Sequence, residues 1–373
     1  MILSRSSPDY KTLFFNSPSA PVVAHNLIFY SSGSCALLSA LNFLNIAKGS
    51  AVLLPAYICN SVVTALKSAG FTIFFIDIKE NLQLDITKVV SMIESNHIDA
   101  LLVVHYFGFP CELSEISKEC GKRGVVLIED CCHSFLTGVG GDAIGRVGDA
   151  AIFSLRKTFP IEDGGALVLK DRCLEGSNKD LLMRQPGFIV YFLNRILEKM
   201  VSSSGLCNIY SPLVDSLKRS FSRIKLSDTS PLIQSMDLSR KRPSFLLNKY
   251  LNDPTYHQKI KLQVVRNYDF LSRELAGSSL RPLEPILPIS CIPQWFPCVD
   301  SSEKVVTWLR KKGIGASRWP WHELPSDVRD FEHKYPVSCE LDKKLALLPI
   351  HQSVKMTDLM KMSLLIDEFS RVG

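Results

Sequence analysis

Seven short apolar runs punctuate the first half of the chain: Leu27–Tyr30, Ala51–Leu54, Phe71–Ile76, Ala100–Val104, Val125–Ile128, Ala150–Phe153 and Ala166–Leu169. They are nearly continuous rather than alternating, the pattern of strands covered on both faces of a parallel sheet. Between the first of them Leu37, Leu41 and Leu44, and then Val62, Val63 and Leu66, recur at helical spacing, so the connections read as amphipathic crossover helices. This alternation predicts an α/β fold, a large three-layer domain with a mostly parallel seven-stranded sheet over residues 26–170, preceded by an arm at 1–25.

The texture changes after Lys170. Residues 171–253 are polar and basic apart from an apolar patch at Phe188–Leu193, and read as a linking region or insertion. Over 254–373 the pattern predicts a helix at Lys259–Ala276, a Pro-rich strand-like stretch at Leu287–Val299, a helix near Glu303–Lys312 and a closing helix near Thr357–Phe369. Together these make a small C-terminal α+β domain.

With 373 residues, 46% of them apolar, the chain can bury a full core, which excludes disorder and fibrous classes. The net charge of +6 is too mild to argue for nucleic acid. It is also local: residues 183–249 hold 11 Lys and Arg against 4 Asp and Glu. That segment reads as a subunit contact, a nucleotide-diphosphate clamp, a membrane-surface patch or a solvated linker. Eleven cysteines without a C-x-x-C pair support neither a disulfide framework nor a zinc ribbon, so reduced thiols and a cytoplasmic location are expected. The longest charge-free run, Thr12–Ala47, is broken by Asn16, Pro18, Pro21 and His25, and no secretion signal is read at the N-terminus.

Ligands of parallel α/β sheets gather at the carboxyl ends of strands, where three polar features fall. Ser32-Gly33-Ser34 follows the first strand and opens a helix; Gly33 and Ser34 suit a phosphate at a helix N-terminus, and Ser34 as an ordinary N-cap is the competing reading. Glu129-Asp130-Cys131-Cys132-His133 ends another run. A buried acid there needs a cationic partner, whereas ligands crowded into adjacent positions are not the spacing of a zinc site, so no metal is expected. The third is Phe153-Ser154-Leu155-Arg156-Lys157, followed by Glu162-Asp163-Gly164-Gly165. Lys157 is either a desolvated Schiff-base lysine or a solvated loop residue. A phosphate cradle, a buried acid and an amine at three strand ends jointly fit pyridoxal 5′-phosphate.

The order S-G-S-C-A-L, L-P-A-Y, F-F-I-D-I, V-H-Y-F-G, I-E-D-C-C-H, G-R-V-G-D-A-A-I-F-S-L-R-K and E-D-G-G-A-L-V-L resembles the DegT/StrS family of sugar aminotransferases, within the fold type I pyridoxal phosphate enzymes. The similarity covers residues 27–170 and returns at Gly313-Ile314-Gly315-Ala316 and Leu348-Pro349-Ile350-His351. It implies that Lys157 binds the cofactor covalently and then moves a proton. It further implies that Asp130 holds the pyridine nitrogen, that Cys132 lies under the ring and that His133 meets the phenolic oxygen. Gly33, Ser34 and Ser154 would hold the phosphate.

The chain departs from the family in placing Lys157 closer to its Phe-Ser pair and in carrying Cys59 where relatives have the ring-stacking aromatic. Tyr57 is the nearest aromatic and reads as the stacking residue or as core. Its N-terminal arm is short, and Arg240, Lys241 and Arg242 occupy the region by which a second subunit reaches the phosphate, without the family's pattern. Arg318, Trp319 and His322 suit a sugar or carboxylate ligand, or a packed Trp-Pro turn with a surface arginine. His105 and His351 read as structural.

The resemblance implies a homodimer that transfers an amino group from Glu or Gln to a nucleotide-linked keto sugar. The alternatives are a non-transaminating relative, against which Lys157 argues because such dehydratases carry histidine there, and a scaffold that has lost turnover. A nicotinamide dehydrogenase is disfavoured because S-S-G-S-C-A lacks the G-x-G-x-x-G fingerprint.

Overall fold

In the computed structural model, which describes residues 2–3, 27–139, 142–161, 164–170, 238, 240–320 and 323–372, all seven runs enter one seven-stranded sheet. Its strands are β1 (Ile28–Tyr30), β2 (Ala51–Pro55), β3 (Thr72–Ile76), β4 (Ala100–Val104), β5 (Val126–Asp130), β6 (Ala150–Ser154) and β7 (Gly165–Leu169), in spatial order β1-β7-β6-β5-β4-β2-β3. β2 pairs in parallel with β3 and β4, β4 with β5, and β5 with β6; β7 alone is reversed, antiparallel to both β6 and β1. β1 and every strand other than β7 therefore point the same way, and their carboxyl ends share one edge. Every residue of β2, β4 and β6 is buried, each large aliphatic side chain contributing about 1.5–3 kcal/mol by leaving water.

The crossovers are α1 (Gly33–Phe43), α2 (Asn60–Ala69), α3 (Ile86–Asn96) and α4 (Ser114–Arg123). The periodic residues Leu37, Leu41, Val62, Val63 and Leu66 are buried, and Leu44 is partly so. Beyond β7, Lys241 donates its N–H to Phe29 O at 2.8 Å on the outer side of β1, and the Arg240 guanidinium lies 5.2 Å over the Phe43 ring. α5 (Phe245–Leu251) follows, and its Tyr250 stacks on Phe159 with ring centroids 5.6 Å apart. The described end of the basic segment is thus docked on the large sheet. Phe188–Leu193 lies outside the described residues, whereas Arg240, Lys241, Arg242 and Lys249 of the basic segment lie within them.

α6 (Pro254–Glu274) leads into a three-stranded antiparallel sheet of β8 (Leu280–Pro282), β9 (Trp295–Asp300) and β10 (Leu345–Pro349), accompanied by α7 (Val305–Lys311), α8 (Pro336–Lys344) and α9 (Met356–Val372). The strand-like stretch expected from Leu287 begins only at Trp295. Pro285, Pro288 and Pro293 cannot donate to a ladder, and this part instead folds onto Gly108. There φ is +102° and a Cβ would lie 2.5 Å from Ile292 O, so only glycine permits the approach.

A second tie between the domains is Asp77, just past β3. Its carboxylate accepts the N–H groups of Val337 and Ser338 at 3.0 and 2.9 Å and the Ser338 hydroxyl at 2.6 Å. α8 has no side-chain cap from its own N-cap residue, so an acid from the large domain satisfies its first turn. Among the described residues no helix is long and apolar enough to cross a membrane, and the described cysteines are unpaired.

Candidate active site

The carboxyl edge of the large sheet gathers the residues singled out by sequence. Asp130 ends β5, buried, with Oδ1 accepting the Cys132 N–H at 2.9 Å. Ser154 ends β6, and Lys157 closes the short 3-10 turn that follows it. α1 opens at the same edge: its N-cap is Ser32, whose hydroxyl accepts the Cys35 N–H at 3.2 Å. The N-cap reading offered for Ser34 is corrected, because Ser34 sits inside the first turn. There the N–H groups of Gly33 and Ser34 are donors that the helix cannot use itself.

A Cβ on Gly33 would stand 3.1 Å from Cys132 Sγ and 3.9 Å from Ser154 Cβ. Any larger residue at that position would push Cys132 Sγ back by a few tenths of an ångström, so glycine lets the helix start approach the ends of β5 and β6 closely. The result is a cradle of N–H and hydroxyl donors at the positive end of a helix.

Lys157 Nζ lies 2.9 Å from Nε2 of His133, and His133 Nδ1 accepts the Phe107 N–H at 3.3 Å. The imidazole stacks on Phe107 and meets Trp319 edge-on, with centroids 5.6 Å away in each case. Burial holds His133 well below the usual imidazole range, and any positive charge at Lys157 acts in the same direction. His133 is thus neutral at physiological pH.

Tyr57 takes the core reading. It is fully buried, its hydroxyl donates to Trp319 O at 2.5 Å, its carbonyl accepts the Tyr106 hydroxyl at 2.5 Å, and its ring abuts the Trp319 indole at 4.8 Å. The turn after β2 directs residue 57 inward. Cys59, the N-cap position of α2, is the residue near Lys157 and Asp130, and burial pushes its thiol up to about 11.

Trp319 reaches from the small domain into this aromatic wall. Arg318 does not: its guanidinium donates to the carbonyls of Lys343 and, at 2.7 Å, Glu303, with Asp300 at 3.5 Å. The fork expected for a ligand is engaged within the small domain, because the side chains of adjacent residues 318 and 319 diverge. His322 lies outside the described residues, as do Glu162 and Asp163. Gln294, which the sequence reading passed over, donates Nε2–H to Lys157 O at 2.8 Å; nothing in the local pattern marks a lone glutamine before a strand.

Glu129 has its own partner. His105 Nε2 lies 2.9 Å from Glu129 Oε2, and His105 Nδ1 accepts the Cys111 N–H at 2.9 Å. Oε1 of Glu129 accepts the N–H groups of Val147 and Gly148 at 2.8 and 2.7 Å. His105, Glu129 and Cys131 bring ligand-type atoms within 4.8 Å of one another, but burial keeps the Cys131 thiol protonated and the other two are satisfied by hydrogen bonds. The trio is a structural brace beneath the edge.

A profile of the DegT/DnrJ/EryC1/StrS aminotransferase family matches residues 19–205. The chain belongs to this family. DegT/DnrJ/EryC1/StrS proteins are pyridoxal 5′-phosphate enzymes, and the cradle, carboxylate and amine assembled here fit that cofactor. Among curated proteins, the chain is 31% identical over 188 residues to the GDP-perosamine synthase of Escherichia coli O157:H7, covering 48% of this chain and 51% of that protein. It is 25% identical over 355 residues to the dTDP-4-dehydro-2,3,6-trideoxy-D-glucose 4-aminotransferase of Saccharopolyspora spinosa, covering 92% of this chain and 84% of that protein. The chain thus spans about half the length of the first relative. In fold it is similar to the sugar aminotransferase Spr1654 of Streptococcus pneumoniae in its PLP form, with a TM-score of 0.67 and 14% identity over 92% of this chain and 87% of that one.

Proposed function

We propose that this protein is a pyridoxal phosphate-dependent aminotransferase that moves an amino group from an amino acid, glutamate or glutamine, to a nucleotide-linked keto sugar. It would serve amino-sugar biosynthesis for a polysaccharide or secondary metabolite, as a cytoplasmic homodimer. The observation that carries this reading is the Lys157 amine 2.9 Å from a buried His133, on the same edge as Asp130, Ser154 and the glycine cradle. The relatives reported above bear nucleotide-linked sugars in their names, which supports the acceptor class.

In this reading Gly33 and Ser34 N–H groups and the Ser154 hydroxyl bind the cofactor phosphate. Asp130 would hold the pyridine nitrogen through its carboxylate, and Cys132 would lie on the ring's side of the cradle. Bound there, the cofactor supplies a carbonyl carbon for amines and an electron sink for the substrate carbon. Lys157 Nζ is the nucleophile and afterwards the base that takes and returns a proton. His133, neutral and buried, orients the phenolic oxygen by hydrogen bonding, and the Tyr57–Tyr106–Trp319 wall excludes water.

Purified protein is expected to be yellow, and borohydride to fix one cofactor on Lys157 in peptide mass mapping. Glutamate or glutamine should bleach the colour and a keto sugar nucleotide restore it. Protein that stays colourless with added cofactor would refute the enzyme reading. Colour that neither donor bleaches would leave a non-transaminating relative instead.

A further inference from the structure

Gln294, immediately before β9, joins the small domain to Lys157 through a closed ring of hydrogen bonds. Its N–H donates to Phe107 O at 2.6 Å; the Phe107 N–H donates to His133 Nδ1 at 3.3 Å; His133 Nε2 meets Lys157 Nζ at 2.9 Å; and Lys157 O accepts the Gln294 Nε2–H at 2.8 Å. Phe107 holds φ +56°, outside the region an ordinary residue prefers. That conformation presents its N–H to one side of the ring and its carbonyl to the other. The Gln294 Oε1 is buried without a hydrogen-bond partner among the described residues. The amide cannot be turned to satisfy it, because its carbonyl would then face the carbonyl of Lys157.

The ring dictates a proton location. Because Nδ1 of His133 is an acceptor, the neutral imidazole carries its hydrogen on Nε2. Toward Lys157 it is then a donor, and the complementary group at Nζ is an amine with its lone pair; an ammonium would set two donors face to face. We infer that Gln294 is a positioning residue: by clamping the Lys157 backbone against the Phe107–His133 pair it keeps the Lys157 side chain facing Nε2–H, as the nucleophilic amine. The inference rests on the reading of Lys157 as the reactive group and adds the small domain as the element that readies it. Among the described residues the thiols of Cys59 and Cys132 interact with Lys157, and Asp130 and Arg156 act on those thiols as well. Burial keeps both thiols protonated near neutrality, so they do not compete for this role.

The test uses the full chain stripped of any cofactor and follows labelling of Lys157 by trinitrobenzenesulfonate, quantified by peptide mass mapping across pH. Gln294→Leu, with unchanged far-UV circular dichroism, should label Lys157 about tenfold more slowly near neutral pH, and the difference should close above about pH 10, where lysines are amines in any setting. Labelling of Gln294→Leu at the wild-type rate throughout that range would overturn the inference. If this variant fails to fold, wild-type protein labelled with 15N-histidine decides: the ring requires His133 to be the Nε2–H tautomer, and an Nδ1–H tautomer overturns it. Neither readout needs bound cofactor, so either can fail while the aminotransferase reading stands, and the reverse.

Discussion

The floor and the wall of the site are held by different forces. The floor is the carboxyl edge of the large sheet, where Asp130, Ser154 and Gly33 stand on hydrogen-bonded strand ends or a helix start. Its polar groups keep capacity: Asp130 uses one oxygen for the Cys132 N–H, and the first N–H groups of α1 face the same space. The wall is an apolar cluster in which Trp319, 3% exposed, meets Tyr57, Tyr106, Phe107 and His133. Reacting groups sit where the backbone ladder fixes their position, whereas the residues that shut out water are held by packing between two domains. Changes in the floor should therefore remove chemistry and leave stability, and changes in the wall should do the converse.

Lys157→Ala is the sharpest break. Turnover should fall by at least about a thousandfold and borohydride should no longer fix cofactor on the protein, with an unchanged melting temperature. Asp130→Asn should keep the lysine linkage yet lower turnover about a hundredfold, because the ring nitrogen loses its charged partner; near-normal turnover would remove the role assigned to it. In the wall, Trp319→Ala deletes a buried indole and should cost about 3–5 kcal/mol of stability, read by urea denaturation, while leaving the lysine linkage intact. Loss of that linkage in a folded Trp319→Ala protein would erase the distinction between the two regions.

The smallest effect is a pH limb. His133 is held neutral when folded, so its folded value lies below its unfolded value near 6.5. Stability from this group is complete above about pH 6.5 and is lost as pH falls below it, because the unfolded imidazole takes up a proton that the folded one refuses. Glu129 acts lower. Burial opposes its ionisation, but His105 and the N–H donors of Gly148 and Val147 outweigh it and hold the carboxyl below its ordinary value of 4.5. Its contribution is lost only as pH falls below that value. Thermal melts from pH 8 to 5 should show the first limb in wild type and not in His133→Gln; a limb of equal size in both would assign it elsewhere.

Much of the floor was readable before any fold was known. Runs such as Ala100–Val104 are buried on both faces by their own composition, and a Gly-Ser helix start or an acid ending an apolar run depends on immediate neighbours. Asp130, His133, Ser154 and Lys157 follow from that local grammar and from the family resemblance. The wall was left open between two uses. Tyr57 was undecided until its hydroxyl met Trp319 O, and Arg318 until its guanidinium met the carbonyls of Glu303 and Lys343; in the floor, Ser32 rather than Ser34 caps α1.

Near-neighbour patterning along the chain thus determined the sheet, its mostly parallel character and which polar residues stand at the strand ends, while the reversal of β7 came only with the fold. Only the tertiary structure decided which of those residues have partners and where their protons lie. Gln294 is 137 residues from the lysine whose carbonyl it holds, and Trp319 is 262 residues from the tyrosine that binds it. A hydrogen bond is settled by tenths of an ångström between two such groups, and no periodicity of apolar residues encodes a distance of that kind.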